Sequence, residues 1–144
     1  MASVTFTCDI SGPLDADLRL EVFCDGESVA VFDPVHSHEF THVFEDSIES
    51  VNHSICFVMK NKLPEHTLLD ESGNIISDRL LTIHNKRFEN IDVDYAFNSR
   101  AVYTHDFNGT ADTIDDTFCG IMGCNGQVKF EFSTPIYLWM LENL

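Results

Sequence analysis

Basic side chains are scarce in this chain: 8 Lys and Arg stand against 24 Asp and Glu, a formal net charge of −16 over 144 residues. So acidic a surface repels phosphate backbones and excludes nucleic acid as a direct partner. Long apolar runs are missing too. None approaches the roughly 18 residues a membrane-spanning helix requires, so no membrane partner is expected. The opening stretch MASVTFTCDISG lacks the basic-then-apolar layout of a secretory leader, and none is expected. Repeats, linkers and low-complexity segments are absent, and the length suits a single domain, residues 1–144.

Familiar catalytic signatures are missing in the same way. The chain has no G-x-S-x-G elbow, no Gly-rich phosphate loop and no H-E-x-x-H. With 24 carboxylates, any acidic pair can be drawn on paper, so none singles out a glycoside hydrolase. The expectation is therefore a protein that is not an enzyme. The 5 cysteines are an odd number, and only Cys119 and Cys124 lie close together in a Gly-rich stretch. That spacing suits half a zinc site or a disulfide, but no second pair completes a site. Reduced thiols, packed as small hydrophobes, are the expectation.

What is present is the composition of a folded globule: 44% hydrophobic residues and 11% aromatic ones, with Phe used 12 times. Alternation with period two dominates. Val4, Phe6 and Cys8 share one face of a first segment; Leu18, Leu20, Val22 and Cys24 alternate with Asp17, Arg19 and Glu21. Asp25-Gly26 is a turn signal, with Val29 to Phe32 as the returning arm of a hairpin. Phe40, His42 and Phe44 share a face, as do Val51, His53, Ile55, Phe57 and Met59. Arg79 to His84, Ile91 to Phe97, Ala101 to Asp106 and Val128 to Phe132 read as further strands. Strands at such regular spacing predict an all-β fold, an antiparallel jelly-roll-like β-sandwich. In the tail, STPIYLWMLENL predicts a short C-terminal helix, with Pro135 in its first turn and Thr134 or Ser133 as its cap. Ile136, Trp139 and Met140 would face the core, with Leu138, Leu141 and Leu144 extending the apolar surface.

Three places carry candidate chemistry. Asp70-Glu71-Ser72-Gly73-Asn74 superficially resembles a calcium loop, but Gly73 comes too early and no Glu closes the set. It reads as a turn in which Gly73 supplies a positive φ, with a surface cation held by Asp70 and Asp78 as the metal alternative. His36, His38 and His42 share one parity and invite a metal reading, against which Phe40 and Phe44 share that same parity. Finally, Tyr103, His105, Asp106 and Asn108 combine a ring with carboxylate and amide groups. A sugar needs that mixture, because it presents C–H patches together with hydroxyls. The alternative for this stretch is that Phe107 anchors the loop while the polar side chains face water.

The stretches KNKLPEHTLLDESGNIISDRLLTI, YTHDFNGT and GCNGQVKFEFSTPIYLWMLENL together resemble a family of uncharacterised proteins and domains of marine tailed phages that infect cyanobacteria. The shared elements are N-K-x-P-x-x-T, D-x-x-G-N-I, N-G and P-I-Y-L-W-L-L-E, in this order over about Val51 to Leu144; here Met140 replaces the expected Leu. That family is similar to calcium-dependent carbohydrate-binding modules. The resemblance implies a jelly-roll sandwich, glycan recognition, and calcium as the cofactor. It also implies synthesis in the host cytoplasm and association with a virion. The alternative it leaves is a structural virion or assembly protein that meets further copies of itself, or other virion proteins, through its sheet faces. No binding residues are carried over from the family.

Overall fold

The computed structural model describes residues 2–144. In chain order the strands are β1 (Ser3–Ser11), β2 (Arg19–Cys24), β3 (Glu27–Phe32), β4 (Ser37–Glu45) and β5 (Asn52–Lys60). A single 3-10 turn at Pro64–His66 leads into a small hairpin, β6 (Leu68–Leu69) and β7 (Ile75–Ser77). Then follow β8 (Leu81–Phe88), β9 (Ile91–Asp92), helix α1 (Asp94–Arg100), β10 (Val102–His105), β11 (Ile114–Thr117), β12 (Ile121–Met122), β13 (Gly126–Ser133) and helix α2 (Ile136–Asn143). No helix among the described residues is long and apolar enough to cross a membrane.

Two antiparallel sheets face each other. One has the order β12-β8-β1-β4, with β9 also on β8; the other runs β11-β10-β13-β5-β2-β3. The chain passes repeatedly from one sheet to the other, as the jelly-roll-like expectation required. The cause is visible in the burial rhythm. In β1 and β2 every second side chain is buried, and in β13 Val128, Phe130 and Phe132 are buried while Gln127, Lys129 and Glu131 are exposed. Each sheet thus has a single apolar face to hide, and the two faces hide one another. The interior is largely phenylalanine: Phe97 stacks on Phe130 at 4.2 Å between ring centres, and Phe88 meets Phe132 at 4.7 Å. Trp139 of α2 adds an edge-on contact with Phe130 at 5.7 Å.

Two turns came out as their sequences require. Asp25 and Gly26 both take positive φ, the combination of a type I′ hairpin. Gly73 also has positive φ, and the Asp70 carbonyl accepts its N–H at 3.1 Å.

Three expectations need correction. Ile91 to Phe97 is not one strand; after β9 the chain turns into α1. The apolar positions fit both readings, because Val93, Ala96 and Phe97 are buried at helical spacing, while Tyr95 is 86% exposed where a strand would have hidden it. Helix α2 is capped neither by Thr134 nor by Ser133. The Ile136 N–H donates instead to Asp46 Oδ1 at 2.9 Å, and the Thr134 hydroxyl donates to the Glu49 carbonyl. Strand β11, within the acidic stretch after Gly109, was not anticipated at all; all four of its residues are exposed.

Candidate functional site

Strand β10 delivers Tyr103 and His105 to the core side of its sheet, and the chain then leaves through Asp106-Phe107-Asn108-Gly109. Phe107, Asn108 and Gly109 all have positive φ, and the turn is closed by Gly109 N–H donating to Asp106 Oδ1 at 2.8 Å. A left-handed conformation costs a bulky residue about 1–2 kcal/mol. It holds the Phe107 ring half exposed at the rim, edge-on to His105 at 4.7 Å. The sequence offers Tyr103 as the ring of a sugar-binding set and, as the alternative to such a set, Phe107 as the loop's anchor. The observed burial exchanges them: Tyr103 is buried, its hydroxyl donates to the Cys124 carbonyl and accepts the Cys124 N–H, and burial pushes its pKa up to about 12.

Beside this loop an open groove of about 420 Å³ lies over the ends of β5, β13 and β10. Pairing of Thr104 with Gln127, and of Gln127 with Val58, puts those three side chains in one row across the sheet. Val58 gives an apolar floor, with Met59 buried beneath the strand; Lys60, Asp106 and Thr113 stand around it. His105 is buried in the wall, where its Nδ1 accepts the Phe107 N–H at 3.3 Å and its Nε2 is turned toward Asp116 Oδ2, 3.8 Å away. Asn108 does not line the groove. Its Oδ1 accepts the Asn125 N–H at 2.8 Å and so braces the groove from behind. Of the four candidates, His105 and Asp106 reach the groove, while Tyr103 and Asn108 support it. Lys60, Thr113 and Gln127 also line the groove; they come from distant parts of the chain, and strand register gathers them.

Gly126, in the groove lining, lets β10 and β13 approach closely. A Cβ there would lie 2.3 Å from the Thr104 carbonyl oxygen, and its φ is +156°. Gly126→Ala is therefore expected to force β10 away from β13. Urea unfolding should show a loss of about 1–3 kcal/mol, the usual range for overpacking.

The second candidate pair is not brought together. Asp70 sits at the tip of the β6–β7 hairpin, and the N–H groups of Ser72 and Asn74 donate to its Oδ1 at 2.9 and 2.8 Å. The Asn74 amide in particular holds its carboxyl below the usual range. Asp78 stands at the hairpin's base, where Oδ1 accepts from Lys62 Nζ at 2.6 Å, Thr67 Oγ1 at 2.8 Å and the Arg79 N–H at 2.8 Å. A calcium ion needs six or more oxygens with free lone pairs. Asp70 at the tip is bonded into a turn and Asp78 at the base to an ammonium, so the two carboxylates do not share a site.

The histidines likewise disperse. His36 precedes β4, and its N–H donates to His38 Nε2 at 3.2 Å. His38 stacks on Phe32, and burial beside Phe44 holds the His42 pKa below its usual value. Among the described residues no three His, Cys, Asp or Glu side chains are grouped to hold a metal ion. All five cysteines are free thiols; Cys24 is pushed up to about 12 by burial.

No protein-family profile and no curated protein matches the chain. Two solved structures resemble it. One is "vCBM60 in complex with galactobiose", 12% identical, spanning 88% of this chain and 96% of that one, with a TM-score of 0.47. The other is a selenomethionine form of vCBM60, reported with a circular permutation that links two families of calcium-dependent carbohydrate binding modules. It is 10% identical, spans 88% of this chain and 89% of that one, and has a TM-score of 0.45.

Proposed function

We propose that this chain is a non-catalytic carbohydrate-binding module whose ligand lies in the groove over β5, β13 and β10. The observation that carries the reading is spare hydrogen-bonding capacity over an apolar floor. Asp106 uses only Oδ1 in its turn, and among the described residues neither its Oδ2 nor the Gln127 amide nitrogen has a protein partner. Lys60 and Thr113 add an ammonium and a hydroxyl, and the Phe107 ring at the rim offers a surface for sugar C–H groups. An open groove suits one stretch of a polymer rather than an enclosed small molecule. The charge of −16 disfavours sulfated and uronic polymers, so neutral glycans are the expected class. On a phage particle, as the sequence resemblance implies, such a module would hold host-surface glycan.

A glycan array followed by calorimetry tests this. The wild type is expected to bind a neutral glycan. Gln127→Ala should weaken it about tenfold, or about 1.4 kcal/mol, with the melting midpoint unchanged because the side chain is exposed. Silence across a broad array overturns the proposal.

One observation favours the structural-protein alternative. Leu141 of α2 and Leu144 just after it are exposed, and with Ile91 and Tyr137 they line a second, mostly apolar groove of about 410 Å³. A wild type that meets no glycan but loses a protein contact with Leu141→Glu would establish that reading instead.

A further inference from the structure

We propose that the free edge of β4 joins a second copy of this chain, antiparallel and with its two-fold axis at Thr41. The other sheet edges are each blunted. Strand β11 is four residues long with Asp115 and Asp116 adjacent, β9 and β12 have two residues each, and the β3 pairing is broken by a register shift between Val22 and Phe23. Strand β4 is neither short nor shifted, and its two carboxylates, Glu39 and Glu45, stand six residues apart. It pairs with β1 over nine residues without a shift, and it contains neither Pro nor Lys.

The main-chain groups that would bond the second copy can be identified. Asp46 N–H donates to the Ala2 carbonyl and Gly12 N–H to the His36 carbonyl, so even-numbered residues of β4 bond inward to β1. The N–H and C=O groups of Ser37, Glu39, Thr41 and Val43 consequently point out of the sheet. The Glu45 carbonyl, on the same parity, is the one already taken, by His53 Nε2 at 3.0 Å.

Side chains choose the register. Those of the outward-bonding residues are exposed on the sheet's outer face, with Val43 56% exposed. With the axis at Thr41, Glu39 faces Val43 of the second copy, Ser37 faces Glu45, and Thr41 faces Thr41. No like charges are opposed, and the overlap is the whole strand. Moving the axis to His42 sets Glu39 against Glu45, a like-charge pair that destabilises a sheet. The register centred on Thr41 thus pairs the whole strand with no like charges opposed, and it is the register proposed for the second copy. The glycan groove lies over β10, β13 and β5, away from β3 and the β4 edge beside it. A dimer formed this way leaves both grooves open, and this inference does not depend on what they bind.

Sedimentation over a range of concentrations and salt tests it. Each copy carries −16, so long-range repulsion opposes association, and dimerisation should strengthen with ionic strength. The expected result is a shift from 16.3 kDa toward twice that mass, larger at high salt. Thr41→Lys places like charges across the axis and should weaken the dimer about tenfold or more. Thr41→Pro should do the same without unfolding the chain, because the N–H it removes points outward and proline is tolerated on edge strands. Both variants should keep the wild-type melting midpoint measured at a concentration where the protein is monomeric. Leu141→Glu, on the α2 surface, should dimerise as the wild type does. A monomer at every concentration and salt overturns the proposal. So does a dimer that survives Thr41→Lys, or one that Leu141→Glu abolishes.

Discussion

Asp78→Ala is expected to cost about 3–5 kcal/mol of unfolding free energy, read from urea denaturation at neutral pH. The figure is large because of what the substitution leaves behind. The Lys62 side chain is fully buried, and its ammonium has three acceptors: Asp78 Oδ1 and the Arg79 carbonyl at 2.6 Å each, and the Gly123 carbonyl at 3.0 Å. Removing the carboxylate strands a positive charge with only carbonyl dipoles around it. Removing both partners should be far gentler, so Lys62→Met combined with Asp78→Ala is expected to regain most of the loss. Burial tends to raise the Asp78 pKa, but hydrogen bonds from Lys62, Thr67 and the Arg79 amide outweigh it and hold the carboxyl below the ordinary value. The sign follows: the contribution is complete above an unfolded carboxylate's pKa, about 3.9, and disappears as pH falls through the lower folded value. Asp78→Ala should therefore lose its difference from wild type in acid. The effect also reaches the groove. The Lys62 N–H donates to Asn125 Oδ1 and the Lys62 carbonyl accepts from Asn125 Nδ2, so a loosened Lys62 releases the groove's back wall. Affinity should fall together with stability here, whereas Gln127→Ala separates the two. A loss below about 1 kcal/mol would show that water reaches the ammonium.

The sandwich was legible because alternation in β1, β2 and β13 leaves only one way to bury Phe6, Leu20 or Phe130. Ile91 to Phe97 was not, because a seven-residue stretch with apolar ends satisfies period two and one helical turn alike. Only the exposure of Tyr95 and the tertiary bonds of Asp94 separate them. The α2 cap was illegible for a different reason. Asp46 lies ninety residues from Ile136, and no local pattern connects them. At the groove, His105 and Asp106 belong to the polar loop that their residue types mark in the sequence. The roles of Tyr103 and Phe107 were exchanged because alternation stops informing once the chain takes positive φ at Phe107. Gln127 and Lys60 gave no signal at all. An exposed amide or ammonium on a strand is ordinary, and it becomes part of a groove only through pairing with a remote segment.

Asp94→Ala is expected to cost about 3 kcal/mol, the low end of the range for a buried charge left unpaired because the Asp94 carboxylate is 36% exposed and partly screened by water, by removing a counter-charge and a helix foundation at once. Lys86 is fully buried on β8. Its ammonium lies 3.0 Å from Asp94 Oδ1, donates to the Ile83 carbonyl at 2.7 Å, and sits 5.2 and 5.6 Å from the centres of the Phe97 and Phe118 rings. The Asp94 carboxylate also accepts the N–H groups of Lys86 at 2.9 Å and Asn85 at 3.2 Å, which ties the first residue of α1 to β8. Burial raises its pKa, while the Lys86 amide and ammonium lower it further than that, so this contribution too is present above about pH 4 and lost on acidification. Two variants apportion the effect. Asp94→Asn keeps an acceptor for one backbone N–H but not the charge. Lys86→Met with Asp94→Ala removes the charge and offers a thioether to the same two rings. If charge compensation dominates, Asp94→Asn should be nearly as damaging as Asp94→Ala, and the double variant should regain most of the stability. If the amides dominate, Asp94→Asn should be mild and the double variant should stay as unstable as the single one. The first pattern is expected, because an ammonium without a counter-ion in this ring-lined interior costs more than one unmet amide. The second would mean that α1 is held by its hydrogen bonds alone, with Lys86 a tolerated guest between Phe97 and Phe118.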